Sequence, residues 1–108
     1  MKPVVFLGDS LDRVRAFSER ARRDVGFQLE RVQRGLDPDD WKPMVSVGPG
    51  VREIRVRDAT GTYRVVYVAR FADAVYVLHA FQKKSQRTPR GDLVLAQSRL
   101  RELKRGPR

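Results

Sequence analysis

The sequence has no cysteine. That excludes disulfides and thiolate metal sites, is compatible with a reducing cytosol, and leaves a hydrophobic core to hold the fold. A long apolar run is also missing at the N-terminus, where Val4, Val5, Phe6 and Leu7 are only four consecutive large apolar residues. Four are too few for the apolar region of a signal peptide or for a membrane span. The expectation is a soluble, unprocessed, cytoplasmic protein without membrane contact. Internal repeats and low-complexity segments are absent as well, so residues 1–108 read as a single domain.

Acidic residues are the scarcer charge. Thirteen Asp and Glu face 23 Lys and Arg, a net charge of +10, which favours a polyanion such as nucleic acid or an acidic protein partner. Nine basic residues but only two acidic ones fall in residues 83–108. Counterion release would reward such a cluster on a phosphate chain, while the plainer alternative is a solvated helix face kept for solubility. Apolar residues at 41% and charged residues at 33% give a globular balance rather than a disordered one. A chain of 108 residues can bury roughly two-thirds of its unfolded surface.

Val4 to Leu7, closed by Gly8, predicts a buried strand. Asp9 and Ser10 offer an N-cap, after which Leu11, Val14, Phe17, Ala21, Val25, Leu29, Val32 and Leu36 recur at helical spacing. Ser18 can recap the chain and split this stretch into two helices. Gly26 weakens the helix interior by about 1 kcal/mol relative to alanine. Gly35 reads as a C-cap, and residues 37–43 read as a loop.

Beyond the loop the period changes to two. Val51 to Arg57 alternates, with Ile54 and Val56 on the side opposite Glu53, Arg55 and Arg57. Residues 58–62 supply turn chemistry. Tyr63 to Phe71 and Val75 to Phe81 read as two more antiparallel strands joined at 72–74. Thr88-Pro89 predicts the start of a last helix carrying Leu93, Ala96, Leu100 and Leu103, stopped by Gly106-Pro107. The order predicts an α+β fold: an N-terminal strand and a three-strand meander in one antiparallel sheet, N-terminal helices packed on one face, and a C-terminal helix.

With helices on one face, the other face is the candidate site. Arg52, Glu53, Arg55 and Arg57 lie on the first meander strand, Arg64 and Arg70 on the second, and His79, Lys83 and Lys84 at or after the third. Strands about 4.8 Å apart would let several of them converge; the alternative is an ordinary polar sheet surface.

Three stretches in order, Val51-Arg52-Glu53-Ile54-Arg55, Tyr63-Arg64-Val65-Val66-Tyr67, and Leu78 to Pro89 with its paired lysines before Thr88-Pro89, resemble the successive motifs of the phage-derived HigB/RelE-like toxin family. Gly35 and Trp41-Lys42-Pro43 also fit, so the resemblance covers nearly the whole chain. It implies a RelE-like fold. It also implies a toxin of a type II toxin–antitoxin system: an endoribonuclease that needs no metal or cofactor and cleaves mRNA, usually in the ribosomal A site. Cleavage proceeds by attack of the 2′-hydroxyl on the adjacent phosphate, giving a 2′,3′-cyclic phosphate. The implied partners are mRNA, the ribosome and a cognate helix-turn-helix, HigA-like antitoxin. The alternative on the same fold is a catalytically silent RNA- or antitoxin-binding module.

Cations can drive this chemistry by stabilising the extra charge on a pentacoordinate phosphate, and arginine suits the role because its planar fork grips two oxygens. The resemblance places Arg64 first, then Arg55, with Lys83 and Lys84 holding phosphate or protonating the leaving 5′-oxygen. Glu53 and His79 are the conventional candidates for a base. Some relatives use a C-terminal histidine or tyrosine, and this sequence has neither after Thr88. Arg52, Arg57, Arg87 and Arg90 are candidate RNA contacts. With them go Arg99, Arg101, Lys104 and Arg105, which would meet the phosphate backbone or an acidic antitoxin. Tyr63, Tyr67, Tyr76 and Trp41 are expected to pack rather than to stack on bases.

Overall fold

A short strand, Val4–Phe6 (β1), leads into two helices, Ser10–Arg15 (α1) and Glu19–Gln33 (α2), in a computed structural model that describes residues 1–106. The break between the helices is Ser18, whose hydroxyl accepts the Ala21 N–H at 3.1 Å and caps α2. Asp9 stands at the cap position of α1 without capping it, because its carboxylate is engaged by the side chains of Arg13 and Arg99. Helix α2 ends in a Schellman motif. Gly35 takes φ +84°, Leu36 donates its N–H to the Arg31 carbonyl, and Gly35 donates to Val32.

Four further strands follow, Trp41–Pro43 (β2), Val51–Asp58 (β3), Gly61–Val68 (β4) and Val75–Lys83 (β5), and then a helix, Arg90–Arg105 (α3). They complete one five-stranded sheet in the order β1-β5-β4-β3-β2. The α+β class holds, and the architecture is compatible with a RelE-like fold. Three details differ from expectation. The sheet is mixed rather than antiparallel, because β1 pairs in parallel with the distant β5. Trp41–Pro43 is an edge strand rather than a loop, with Lys42 opposite Glu53; three residues are too few to show alternation, and an edge tolerates Pro43. Strand β4 stops at Val68, and the carbonyls of Ala69 and Phe71 beyond it accept from the Lys2 ammonium, each at 2.7 Å.

The second sheet face is also not simply open. On one face Val14 of α1, Phe17 of the connection, and Ala21, Val25, Leu29 and Val32 of α2 are buried against Ile54, Val56, Tyr63 and Val65. On the other, Ala96, Leu100 and Leu103 of α3 pack with Met44, Val47, Val51, Val66 and Leu78. Helix α3 begins one residue later than expected, with Pro89 rather than Thr88 at the cap position. It is followed by Gly106; Pro107, the second half of the expected stop, lies outside the described residues.

Gly26 has no packing role among the described residues. A Cβ built there meets no atom within 4 Å, and its backbone is helical. Gly26→Ala is therefore expected to raise unfolding stability by about 0.5–1 kcal/mol, measured as a shifted urea midpoint with unchanged slope.

Candidate functional site

Register decides which charges meet. Glu53, Arg55 and Arg57 pair across β3 and β4 with Val66, Arg64 and Thr62, and Thr62 and Arg64 pair in turn with Lys83 and Phe81 of β5. All of these side chains fall on the face that carries α3. Along the strands that face divides in two. Its Val51, Val66, Val68 and Leu78 end lies under α3, and its hairpin end is an open groove of about 750 Å³. The groove is lined by Lys42, Arg55, Arg57, Arg64, Lys83 and Lys84, with Thr62, Ser85 and Gln86.

Arg55 and Arg64 stand directly opposite each other, an arrangement that repulsion disfavours. Glu53 makes it tolerable. Its carboxylate Oε1 accepts from Arg64 Nη1 at 3.1 Å and lies 3.8 Å from Arg55 Nε. Glu53 is 1% exposed and Arg64 6%, so the pair forms the floor of the groove. Among the described residues, Glu53 Oε2, Arg55 Nε and Arg64 Nε are buried and find no hydrogen-bond partner, which leaves the cluster with unused capacity. Burial lowers the pKa of Arg64 despite the attraction of Glu53. Lys83 is also lowered, first by burial and then by the neighbouring Arg64 charge. An ammonium so placed gives up its proton more readily than an exposed one.

Of the candidate residues, the structure brings together Glu53, Arg55, Arg57, Arg64, Lys83 and Lys84. It separates others. Arg52 projects to the opposite face, where its guanidinium lies 3.9 Å over the Trp41 ring and pairs with Asp37 at 2.8 Å. His79 sits beneath α3, fully buried. A β-bulge between β4 and β5 lets both Leu78 and His79 face α3, where strict alternation would send one of them away. Its Nδ1 accepts from Arg99 at 3.1 Å, which makes Nε2 the protonated nitrogen, donating to Asp92 at 2.6 Å. Burial keeps the imidazole neutral, overcoming the opposing pull of Asp92.

Arg99 is part of this network rather than of the surface, bonding Asp9 and the Leu78 carbonyl as well. Asp9, between Arg13 and Arg99, is held at a pKa of about 2. Arg87 and Arg90 are exposed beyond β5, and Arg101, Lys104 and Arg105 are exposed on α3. Tyr63, Tyr67 and Tyr76 are core residues, Tyr63 against Phe17 at 4.6 Å between centroids. Lys42 is the groove cation missing from the sequence-based candidates, because its strand is defined only by pairing with β3, where it stands opposite Glu53.

Among the described residues no helix is long and apolar enough to cross a membrane, and no three His, Asp or Glu side chains gather to hold a metal ion. Residues 12–101 match the family model described as "Phage derived protein Gp49-like (DUF891)". No curated protein matches the chain.

The neutral state of His79 makes a pH prediction. The unfolded chain takes up the proton first, so this contribution is complete above about pH 6.5 and is lost as pH falls from there toward the lower folded value. His79→Gln can keep both hydrogen bonds without titrating. Urea unfolding between pH 7.5 and 5 should show the wild type losing more stability than the variant; parallel losses would contradict the assignment.

Proposed function

The chain belongs to the phage-derived Gp49-like family, a RelE/HigB-like family of toxin–antitoxin toxins, and from that premise we propose that it is a ribosome-dependent mRNA endoribonuclease, held in check by a cognate helix-turn-helix antitoxin. One observation carries the reading: six cations from four strands and the loop after β5 converge on one open groove whose floor is a buried ion pair. Such a groove fits a phosphate chain and favours the transition state, in which the phosphate gains negative charge.

In this reading the RNA backbone lies across the hairpin end of the sheet, with the scissile phosphate over Arg55 and Arg64. Arg64 is oriented by Glu53 and presents its guanidinium edge, while Arg57, Lys42 and Lys84 hold neighbouring phosphates. The 2′-oxygen forms a bond to phosphorus, the bond to the 5′-oxygen breaks, and a 2′,3′-cyclic phosphate and a 5′-hydroxyl result. Lys83 supplies the proton to the leaving 5′-oxygen, for which its lowered pKa suits it. His79 has both ring nitrogens engaged under α3, and Glu53 is buried in the floor with Arg64 on one carboxylate oxygen. The 2′-hydroxyl proton therefore passes to solvent rather than to either of them. That same lack of an open base is what favours the alternative of a silent binder.

Induced expression followed by mapping of mRNA 5′ ends on translating ribosomes separates the two. The wild type should cleave. Lys83→Met and Arg55→Ala should each reduce cleavage by about 10²-fold or more, with an unfolding transition measured alongside to show that the fold is retained. Salt-sensitive RNA binding with intact messages in the wild type would establish the silent binder instead.

A further inference from the structure

We propose that a cavity at the open edge of β5, next to the cationic groove, is a base-binding subsite that selects guanine in a bound RNA strand. The inference rests on RNA as the ligand of the groove, and it holds for a silent binder as well as for a nuclease.

Strand β1 pairs with β5 only along Val75, Tyr76 and Val77. Beyond them the outer edge of β5 has no strand beside it among the described residues. A cavity of about 340 Å³ opens there, between the end of α1 and the first turn of α3. Its wall is apolar where Phe17, Tyr63 and Phe81 of the core reach it, and its rim is polar, formed by Arg13, Gln82, Lys84 and Asp92. An apolar wall with a few placed polar groups suits a flat heteroaromatic ring. Lys84 lines both this cavity and the groove. An RNA strand whose phosphates lie in the groove therefore brings a neighbouring base to the cavity.

The rim selects the base by its donors and acceptors. Asp92 Oδ1 accepts from His79 Nε2, and Asp92 Oδ2 has no partner among the described residues. Gln82 donates through Nε2 to the Thr60 carbonyl, which leaves its Oε1 as a second acceptor. A carboxylate only accepts, so the matching base presents donors side by side. Guanine does so on its Watson–Crick edge, with N1–H next to the amino group. Adenine and cytosine set an acceptor nitrogen beside their amino group, and uracil has one N–H between two carbonyls. Arg13 uses only Nε on Asp9. Its terminal nitrogens are left to donate to guanine O6 and N7, a pairing that arginine makes more often than any other specific base contact.

The test uses the full chain, labelled for amide NMR, with GMP, AMP, CMP and UMP as probes. GMP should move the resonances of Phe17, Gln82 and Asp92, and the other three should need about tenfold higher concentration for the same shift. Asp92→Asn keeps an oxygen for His79 but turns an amide donor toward the base, and should abolish the preference for GMP. Ala16→Leu, at an exposed position on the cavity wall, should weaken GMP about tenfold or more by filling the site. Both variants should retain the thermal transition. Uridine oligonucleotides, 2′-O-methylated against cleavage, test the link to the groove. One internal guanosine should tighten their binding about tenfold. Arg57→Ser should weaken them with and without guanosine alike, so a failed groove does not register as a failed cavity. The proposal is overturned if the monophosphates bind alike, if GMP shifts the groove but not the cavity, or if both cavity variants keep the wild-type preference. It is also overturned if the internal guanosine adds nothing.

Discussion

Two arginines can stand opposite each other on β3 and β4 because the carboxylate of Glu53 lies between them. Its bond to Arg64 at 3.1 Å sits beneath the groove in a setting where either charge alone would be costly to bury. The pair leaves the cluster of Glu53, Arg55 and Arg64 with one net positive charge, and that surplus faces outward. Lys42, Arg57, Lys83 and Lys84 then add to it from the rim. Without Glu53 the floor would repel itself, and without Arg64 the buried carboxylate would lose its hydrogen bond and keep only Arg55, 3.8 Å away.

The sheet distributes its two tasks along the strand direction. Val51, Val66, Val68 and Leu78 give α3 an apolar seat, and the hairpin end of the same face carries cations. The loop after β5 supplies Lys84, Ser85 and Gln86 to the groove wall before α3 turns back over the apolar half. Asp9, Arg13, Arg99, His79 and Asp92 form a polar chain that ties α1, α3 and β5 together. This gives the lone histidine a structural explanation and leaves proton delivery to lysine.

Much of this was legible from residue pattern. Ser18 and Gly35 announced the ends of α2 through cap chemistry, and the alternation of Val51 to Arg57 correctly put Glu53, Arg55 and Arg57 on one side. What escaped was non-local. Nothing near Val4 reveals a parallel partner at Val75, and Trp41–Pro43 is a strand only because β3 lies beside it. The bulge brings both Leu78 and His79 under α3, and nothing in the strand pattern shows that this end of the candidate face is covered. Arg52 shares a strand with Arg55 but an odd spacing, which sends it to Trp41 and Asp37. Arg99 resembles its exposed neighbours in sequence, and only the packing of α3 draws it inward.

A double-mutant cycle on Glu53→Gln and Arg64→Met, read by equilibrium unfolding, tests the central claim that this buried pair supports the groove. Each single change should cost about 3 kcal/mol or more, since each strands the other partner. The double variant should cost at least about 1.5 kcal/mol less than the two added together. Strict additivity, within about 0.5 kcal/mol, would mean that the two side chains do not act as a unit and would contradict the account.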